Sequence, residues 1–264
     1  MNTITIFDSH LHIIAPGFPL VPNNGYVPDA FTCADYRARV KDYHLLGGAL
    51  VSGSFQAFDQ TWLLAALQQL GPSFVGVTQL PASVSDAQVI ALHPAGVRAL
   101  RFNLKRGGSA DVDQLERMAH RVYELVGWHV ELYVDSADLS GLFNTLLGLP
   151  SISIDHLGLS KRGFPTLVKL AERGVRVKAT GFGRADFDVR DALSTLYSAN
   201  PDTLMFGTDL PSTRAPRPFQ DEDIDLIVNA VGEDGVQKVL YKNALAFYRA
   251  NEDADQTIGF RKTQ

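Results

Sequence analysis

His129-Val-Glu-Leu-Tyr133 is followed by Ser136, Ala137 and Asp138, then by a helical stretch that stops at Gly148, and then by Ile152-Ser-Ile-Asp-His156. A short run that suits a strand, a helix opened by Ser and Asp and closed at Gly, and a second short run make one strand–helix–strand unit. The same unit recurs outward in both directions. Runs rich in Val, Ile, Leu and Phe fall at Thr3 to Phe7, Gly48 to Ser52, Phe74 to Leu80, Val97 to Phe102, His129 to Val134, Ser151 to Asp155, Val175 to Thr180 and Leu204 to Gly207. Each gap has room for a crossover helix; one opens at Asp111-Val-Asp-Gln-Leu-Glu and ends at Gly127. Strand and helix in steady alternation imply a parallel sheet, and eight units in this length favour closure into an α/β (β/α)8 TIM barrel over an open doubly wound sheet.

The chain of 264 residues is long enough for one such barrel with one core. Residues 1–249 are expected to form this single domain, and Ala250 to Gln264, polar and aperiodic, a loosely held tail. Ile13 to Thr32 carries Pro16, Pro19, Pro22 and Pro28 with Gly17 and Gly25, and reads as a loop over the barrel mouth. A net charge of -5 offers no long-range attraction to nucleic acid or anionic lipid, which leaves a small molecule as the expected partner. Cys33 is the single cysteine, so no intramolecular disulfide is possible. The N-terminus lacks a signal-peptide pattern, and no run reaches the roughly 18 apolar residues that span a bilayer. A cytoplasmic enzyme is expected, with homo-oligomerisation left open.

Side chains at the C-terminal ends of barrel strands converge on one mouth. His10 and His12 follow the first strand and, two apart, share a face. His156 ends the sixth strand and Asp209 the eighth. A lone His-x-His or a lone strand-end Asp is weak evidence; the four together at matching strand ends are not. A cationic group accompanies them: Arg101 and Asn103 at the end of the fourth strand with Arg106 just beyond, and Arg184 after the seventh, while Tyr133 ends the fifth. Guanidinium forks bind carboxylates in pairs of hydrogen bonds, so these residues suit an anionic substrate. Arg214 and Arg217 read as solvated or rim residues. His44 and His120 are placed inside helices, His93 in a turn before Pro94, and His129 at the barrel's opposite end, all structural or surface groups.

These motifs resemble the amidohydrolase superfamily, in the branch of 2-pyrone-4,6-dicarboxylate lactonase and sugar lactonases. The resemblance rests on Asp8-Ser-His10-Leu-His12, Val51-Ser-Gly-Ser54, Leu100-Arg-Phe-Asn103, His129-Val-Glu-Leu-Tyr133, Ile154-Asp-His156-Leu-Gly158, Val175-Arg-Val-Lys178, Phe206-Gly-Thr-Asp209-Leu-Pro211 and a closing Val239-Leu-Tyr-Lys-Asn243-Ala-Leu-Ala-Phe247-Tyr, in order along the chain. It implies a hydrolase that opens a lactone, with Asp209 as general base and His10, His12 and His156 around the carbonyl oxygen. Ser54, Arg101, Tyr133 and Arg184 would contact substrate carboxylates or hydroxyls. Two departures stand out. Strands four and five end in Arg101/Asn103 and Tyr133 where metal-binding members usually place a lysine or glutamate and a histidine, so no metal cofactor is expected; if one zinc is held, His10, His12, His156 and Asp209 are its ligands. Leu159 stands where the dicarboxylate lactonase has an arginine, which leaves a monocarboxylate or neutral sugar lactone equally compatible. The rival readings are a zinc-dependent decarboxylase, or another mononuclear-metal amidohydrolase, and a non-catalytic small-molecule-binding barrel.

Overall fold

A computed structural model describes residues 3–248. The tail expected over 250–264 lies outside the described residues. Eight parallel strands pair in chain order: β1 (Thr5–Leu11), β2 (His44–Val51), β3 (Phe74–Thr78), β4 (Val97–Asn103), β5 (His129–Tyr133), β6 (Ile152–Ile154), β7 (Arg176–Ala179) and β8 (Leu204–Phe206). Backbone hydrogen bonds from Asp209 to the His10 carbonyl, 2.7 Å, and from His12 to the Leu210 carbonyl, 2.8 Å, join the chain beyond β8 to β1 and bring the two outermost strands together. This is the (β/α)8 barrel in one domain that the spacing of apolar runs predicts.

Between the strands lie α1 (Cys33–Arg39), α2 (Thr61–Leu70), α3 (Asp86–Leu92), α4 (Leu115–Val126), α5 (Leu139–Gly148), α6 (Phe164–Glu172) and α7 (Val189–Ala199), with α8 (Glu222–Gln237) after β8. Their ends carry the local chemistry that starts and stops helices. Thr32 and Ser85 cap α1 and α3 by accepting from the third helical N–H, and Gly127 ends α4 in the left-handed conformation, φ 70°. None of these helices is long and apolar enough to cross a membrane.

Alternation along each strand divides the core in two. Leu50, Leu100, Leu132, Ile154, Val177 and Phe206 face outward and pack beneath the helices. Val51, Val77, Ala99 and Met205 cluster instead with Phe7, Phe247 and Tyr248 inside the barrel. One histidine departs from expectation: His44 opens β2 rather than lying in a helix, because the short Val40–Tyr43 turn ends α1 before it. His120 does lie in α4, and His93 follows α3.

Candidate functional site

β1 does not run in simple register with β2; the pairing shifts twice between Ile6 and Leu11. Such irregularities re-aim side chains at a barrel rim, and here His10 and His12 both face the interior at the mouth, 0% and 4% exposed. Asp8 holds this bend by accepting from the Thr208 amide and hydroxyl, the His10 amide and the Tyr36 hydroxyl. Burial raises its pKa to about 6 against the pull of those donors. His156 and Asp209 sit just past β6 and β8 in left-handed backbone, φ 52° and 60°. Non-glycine residues adopt that conformation at a cost of about 1 kcal/mol or more, and it concentrates at functional sites.

The structure brings the four together. Asp209 Oδ1 lies 3.9 Å from His10 Nε2, 3.8 Å from His12 Nε2 and 4.0 Å from His156 Nε2. Its other oxygen, Oδ2, accepts from the Arg184 guanidinium at 2.8 Å. The separations from Oδ1 are too long for direct hydrogen bonds and suit a shared third atom between the groups. Asp209 Oδ1 and His10 Nε2 are buried without a hydrogen-bond partner, as are Asp155 Oδ1 and His156 Nδ1. Unspent hydrogen-bonding capacity of this kind is rare in a folded core.

Burial sets the charge states. It lowers the pKa of His10 and His156 well below the ordinary imidazole value, helped by Lys178 at His10 and by Arg184 at His156, and pushes His12 down to about 3. All three rings are therefore neutral near pH 7. Burial also raises Asp209, with Arg184 opposing it. Asp155 is the contrary case: burial would raise it, but Arg101 and then Lys178 outweigh burial and hold it below the ordinary carboxylate value.

Around this centre, a narrow cavity of about 30 Å³ is lined by His12, Ser54, Arg101, Asn103, Arg106, Tyr133, His156 and Arg184, together with Arg214. Every residue suggested for substrate binding is thus in the wall. Their states differ. Arg101 is committed to the Asp155 carboxylate, 2.8 Å, and the Ser52 carbonyl, 2.6 Å. Arg184 is committed to Asp209 and the Thr213 carbonyl, and Asn103 turns its Oδ1 to the Arg106 amide. Arg106 keeps its side chain without an ion pair or hydrogen bond among the described residues. Arg214 reaches the wall rather than solvent, because Asn23 of the loop after β1 accepts from it twice and Tyr26 stacks beneath it at 4.3 Å. Arg217 pairs with Asp223, away from this wall.

Sequence reasoning missed a buried charged layer beneath the site. Asp155, Glu131 and Lys178 are 0% exposed. Lys178 pairs with Glu131 and lies 3.4 Å from His10 Nδ1. The available signal was alternation: a strand of a parallel barrel is apolar nearly throughout, and Val-Lys-Ala in β7 places an ammonium at the inward position between two outward apolar residues. His129 belongs to this layer, buried and 3.2 Å from Glu131.

Two groups could hold a metal ion, His10 with His12 and Asp209, and His10 with Asp155 and His156, each with ligand atoms within 4.8 Å of one another. His12 is suited to ligation, since its Nδ1 meets the Val51 carbonyl at 2.7 Å and leaves the Nε2 lone pair facing the site. Asp209 Oδ1 is suited as well. His10 is suited less well, because at its Nδ1 the Lys178 ammonium, 3.4 Å away, competes with Asp155 Oδ1 at 3.5 Å, where a metal-ligating ring ordinarily meets a carbonyl or carboxylate alone.

The amidohydrolase family model Amidohydro_2 matches residues 7–250. A 2-pyrone-4,6-dicarboxylate hydrolase of Comamonas testosteroni is 31% identical over 156 residues, 57% of this chain and 51% of that protein, so the match spans about half of that relative's length. A D-galactarolactone isomerase of Agrobacterium fabrum is 25% identical over 237 residues, 81% of this chain and 80% of that protein. Among solved structures, one from Pseudomonas putida described as a 2-pyrone-4,6-dicarboxylic acid hydrolase superposes with a TM-score of 0.76 at 29% identity, covering 94% of this chain and 98% of that one. Another so described, from Acinetobacter baumannii with citric acid bound, gives 0.79 at 21% identity, covering 92% and 98%, and speaks for the fold alone.

Proposed function

This chain belongs to the amidohydrolase family, and from that premise we propose that it hydrolyses the ester of a small anionic lactone, with Asp209 as general base. The observation that carries the reading is Asp209 Oδ1, buried, without a partner, and within 4.0 Å of three neutral imidazoles. Arg184 pins the other oxygen, so a single oxygen is left to take a proton. Burial raises the basicity of that carboxylate, as a base working near neutral pH requires.

Water held between Asp209 and the imidazoles gives its proton to Oδ1 as its oxygen bonds to the lactone carbonyl carbon. The histidines that carry N–H donate to the oxygen that becomes negative. When the tetrahedral intermediate collapses, the ring C–O bond breaks and Asp209 returns the proton to the departing oxygen, which leaves a hydroxy acid. General base action contributes about a hundredfold or more, and each oxyanion donor a comparable factor. That is enough for an activated ester. Asp209 and the imidazoles supply the base and the oxyanion donors by themselves; a metal ion, if bound, would be held by His12 and Asp209 and would polarise the same carbonyl.

The substrate's anion is read by cations not already spent within the protein. Arg101 and Arg184 each have a protein carboxylate, whereas Arg106 and Arg214 face the cavity without one. Hydrolysis of a pyrone dicarboxylate, as the names of two relatives suggest, would use this pair. The galactarolactone isomerase supports a second outcome on the same residues. If a hydroxyl of the substrate replaces water as nucleophile, the acyl group moves within the molecule and no acid is released.

The test is a panel of pyrone and sugar lactones followed by proton release and by NMR of the products, with and without a chelator. A lactone opened with release of acid and indifferent to the chelator is the expected result. Rearrangement without acid identifies the isomerase, and loss of turnover on chelation overturns the metal-free step. Bound zinc with carbon dioxide release would establish the decarboxylase reading, and absence of turnover on every member the binding-protein reading.

A further inference from the structure

The hydrolytic step leaves the charged layer under His10 without a role. Lys178, Glu131 and Tyr248 are all 0% exposed. Lys178 is paired with one Glu131 oxygen, and the other accepts from the Tyr248 hydroxyl at 2.5 Å and stands 3.2 Å from His129 Nε2. The Tyr248 ring lies 5.8 Å from the ammonium. Apolar residues of similar volume generally serve a core at least as well as a buried ion pair, so stability alone does not account for this one. What the pair touches is more informative. The ammonium lies 3.4 Å from His10 Nδ1 and 3.8 Å from Asp155 Oδ1.

An ammonium carries donors and no acceptor. A neutral ring that meets it at Nδ1 must accept there, and its single proton is then on Nε2. Asp155 Oδ1 is 3.5 Å from the same nitrogen but makes no hydrogen bond, and that carboxylate is tied through Oδ2 to Arg101 at 2.8 Å. Two residues away the situation is reversed. His12 Nδ1 meets the Val51 carbonyl, a group with acceptors only, so its proton is on Nδ1 and its Nε2 presents a lone pair.

We propose that Lys178 is a positioning residue that fixes the His10 proton on Nε2. His10 then enters the site as a hydrogen-bond donor to the carbonyl oxygen, closed to metal ligation through that atom, while His12 beside it accepts. The two rings of one His-x-His motif carry opposite tautomers because one rests on an ammonium and the other on a peptide carbonyl. Glu131, held by Tyr248, keeps the ammonium in place.

Histidine labelled with 15N in the imidazole, in the full chain near neutral pH, reports this directly. His10, assigned by the loss of its signals in His10→Gln, is expected to show a bare Nδ1 and a protonated Nε2, and His12 the reverse. In Lys178→Met the His10 proton should redistribute toward Nδ1, kcat should fall about tenfold or more with KM within about twofold, and zinc added alone should bind about tenfold tighter by calorimetry. Glu131→Gln, which keeps the lysine and loosens its anchor, should shift the same three readouts by smaller amounts. A wild-type His10 protonated on Nδ1 overturns the proposal even if Lys178→Met does not fold, and so does a folded Lys178→Met with unchanged tautomer and zinc affinity. The kinetic arm rests on the hydrolase reading. The tautomer and zinc arms do not, so a failure to find any lactone substrate leaves them decisive.

Discussion

The two ends of the barrel invert the usual relation between the size of a hollow and its chemistry. At the foot, around the start of β5, β6 and β7, lies a groove of about 840 Å³ lined by Ile90, Tyr123, Leu147, Arg176 and Phe247. At the mouth the cavity holds about 30 Å³, room for one or two waters. Yet the mouth is where three imidazoles and a carboxylate converge with hydrogen-bonding atoms unspent, and where His156 and Asp209 themselves hold left-handed backbone. Chemistry follows unpaired polar groups at strand C-termini, and the foot of such a barrel serves stability. The small mouth also means that its wall must part to admit a substrate. Arg214, a residue of that wall, ties the loop after β8 to the loop after β1 through Asn23 and Tyr26.

This contrast can be broken in several ways, the strongest in acid. His12, with its pKa pushed to about 3, and His10 and His156, both held well below the ordinary imidazole value, contribute stability that is fully present above the unfolded value near 6.5 and is lost as pH falls toward their folded values. Asp8, raised to about 6, runs the other way: its contribution is present below pH 3.8 and lost as pH rises through 6. Asp209, raised by burial, runs with Asp8, but three imidazoles outweigh two carboxyls, so urea denaturation between pH 7 and pH 4 should show a net loss on the order of several kcal/mol. His12→Asn should flatten that slope. A stability that rises on acidification would show that the mouth is not the neutral, buried site described.

Arg101→Met leaves the Asp155 carboxylate buried beside Lys178 alone and is expected to cost about 3 kcal/mol or more in a denaturant titration. An unchanged midpoint with a raised KM would instead assign Arg101 to substrate. Asp209→Asn should lower kcat by about a hundredfold or more with the fold intact by circular dichroism. A smaller effect, in the range of Arg214→Ala, is enough to move the base elsewhere. Arg214→Ala itself should raise KM several-fold while kcat changes little, since it removes a rim cation and leaves the reacting centre alone. At the foot, Tyr123→Ala, on a side chain 44% exposed, should leave both kinetic constants unchanged and stability within about 0.5 kcal/mol. Loss of turnover in that variant would give the large groove a function.

Most of the frame is legible in the sequence. Each of the eight runs overlaps a strand, because β-forming composition and helix caps are local signals, although β1 runs on to Leu11 and so contains His10, and β2 begins at His44; His10, His12, His156 and Asp209 stand out because strand ends are where polar residues interrupt an apolar pattern. His44 escapes such reasoning because the helix before it ends one turn sooner than its composition suggests. Asp155 is overshadowed by its neighbour His156, whose residue type speaks more strongly for chemistry. Lys178 and Glu131 carry no visible role in the sequence, since a charged residue in a strand ordinarily belongs to a solvated face, and in a closed barrel no strand has one. Arg214 cannot be placed from a Pro-rich loop whose path depends on Asn23, nearly two hundred residues earlier in the chain.

The order of residues by itself determined the number of strands, their parallel sense and the set of polar side chains delivered to one rim, all consequences of short-range periodicity and of the handedness of a strand–helix–strand turn. Tertiary structure alone decided which cations are already spent on protein carboxylates, which oxygen of Asp209 is left open, and what stands behind each imidazole. Those depend on contacts such as Lys178 with His10 and Val51 with His12, made between strands that only barrel closure brings within hydrogen-bonding distance.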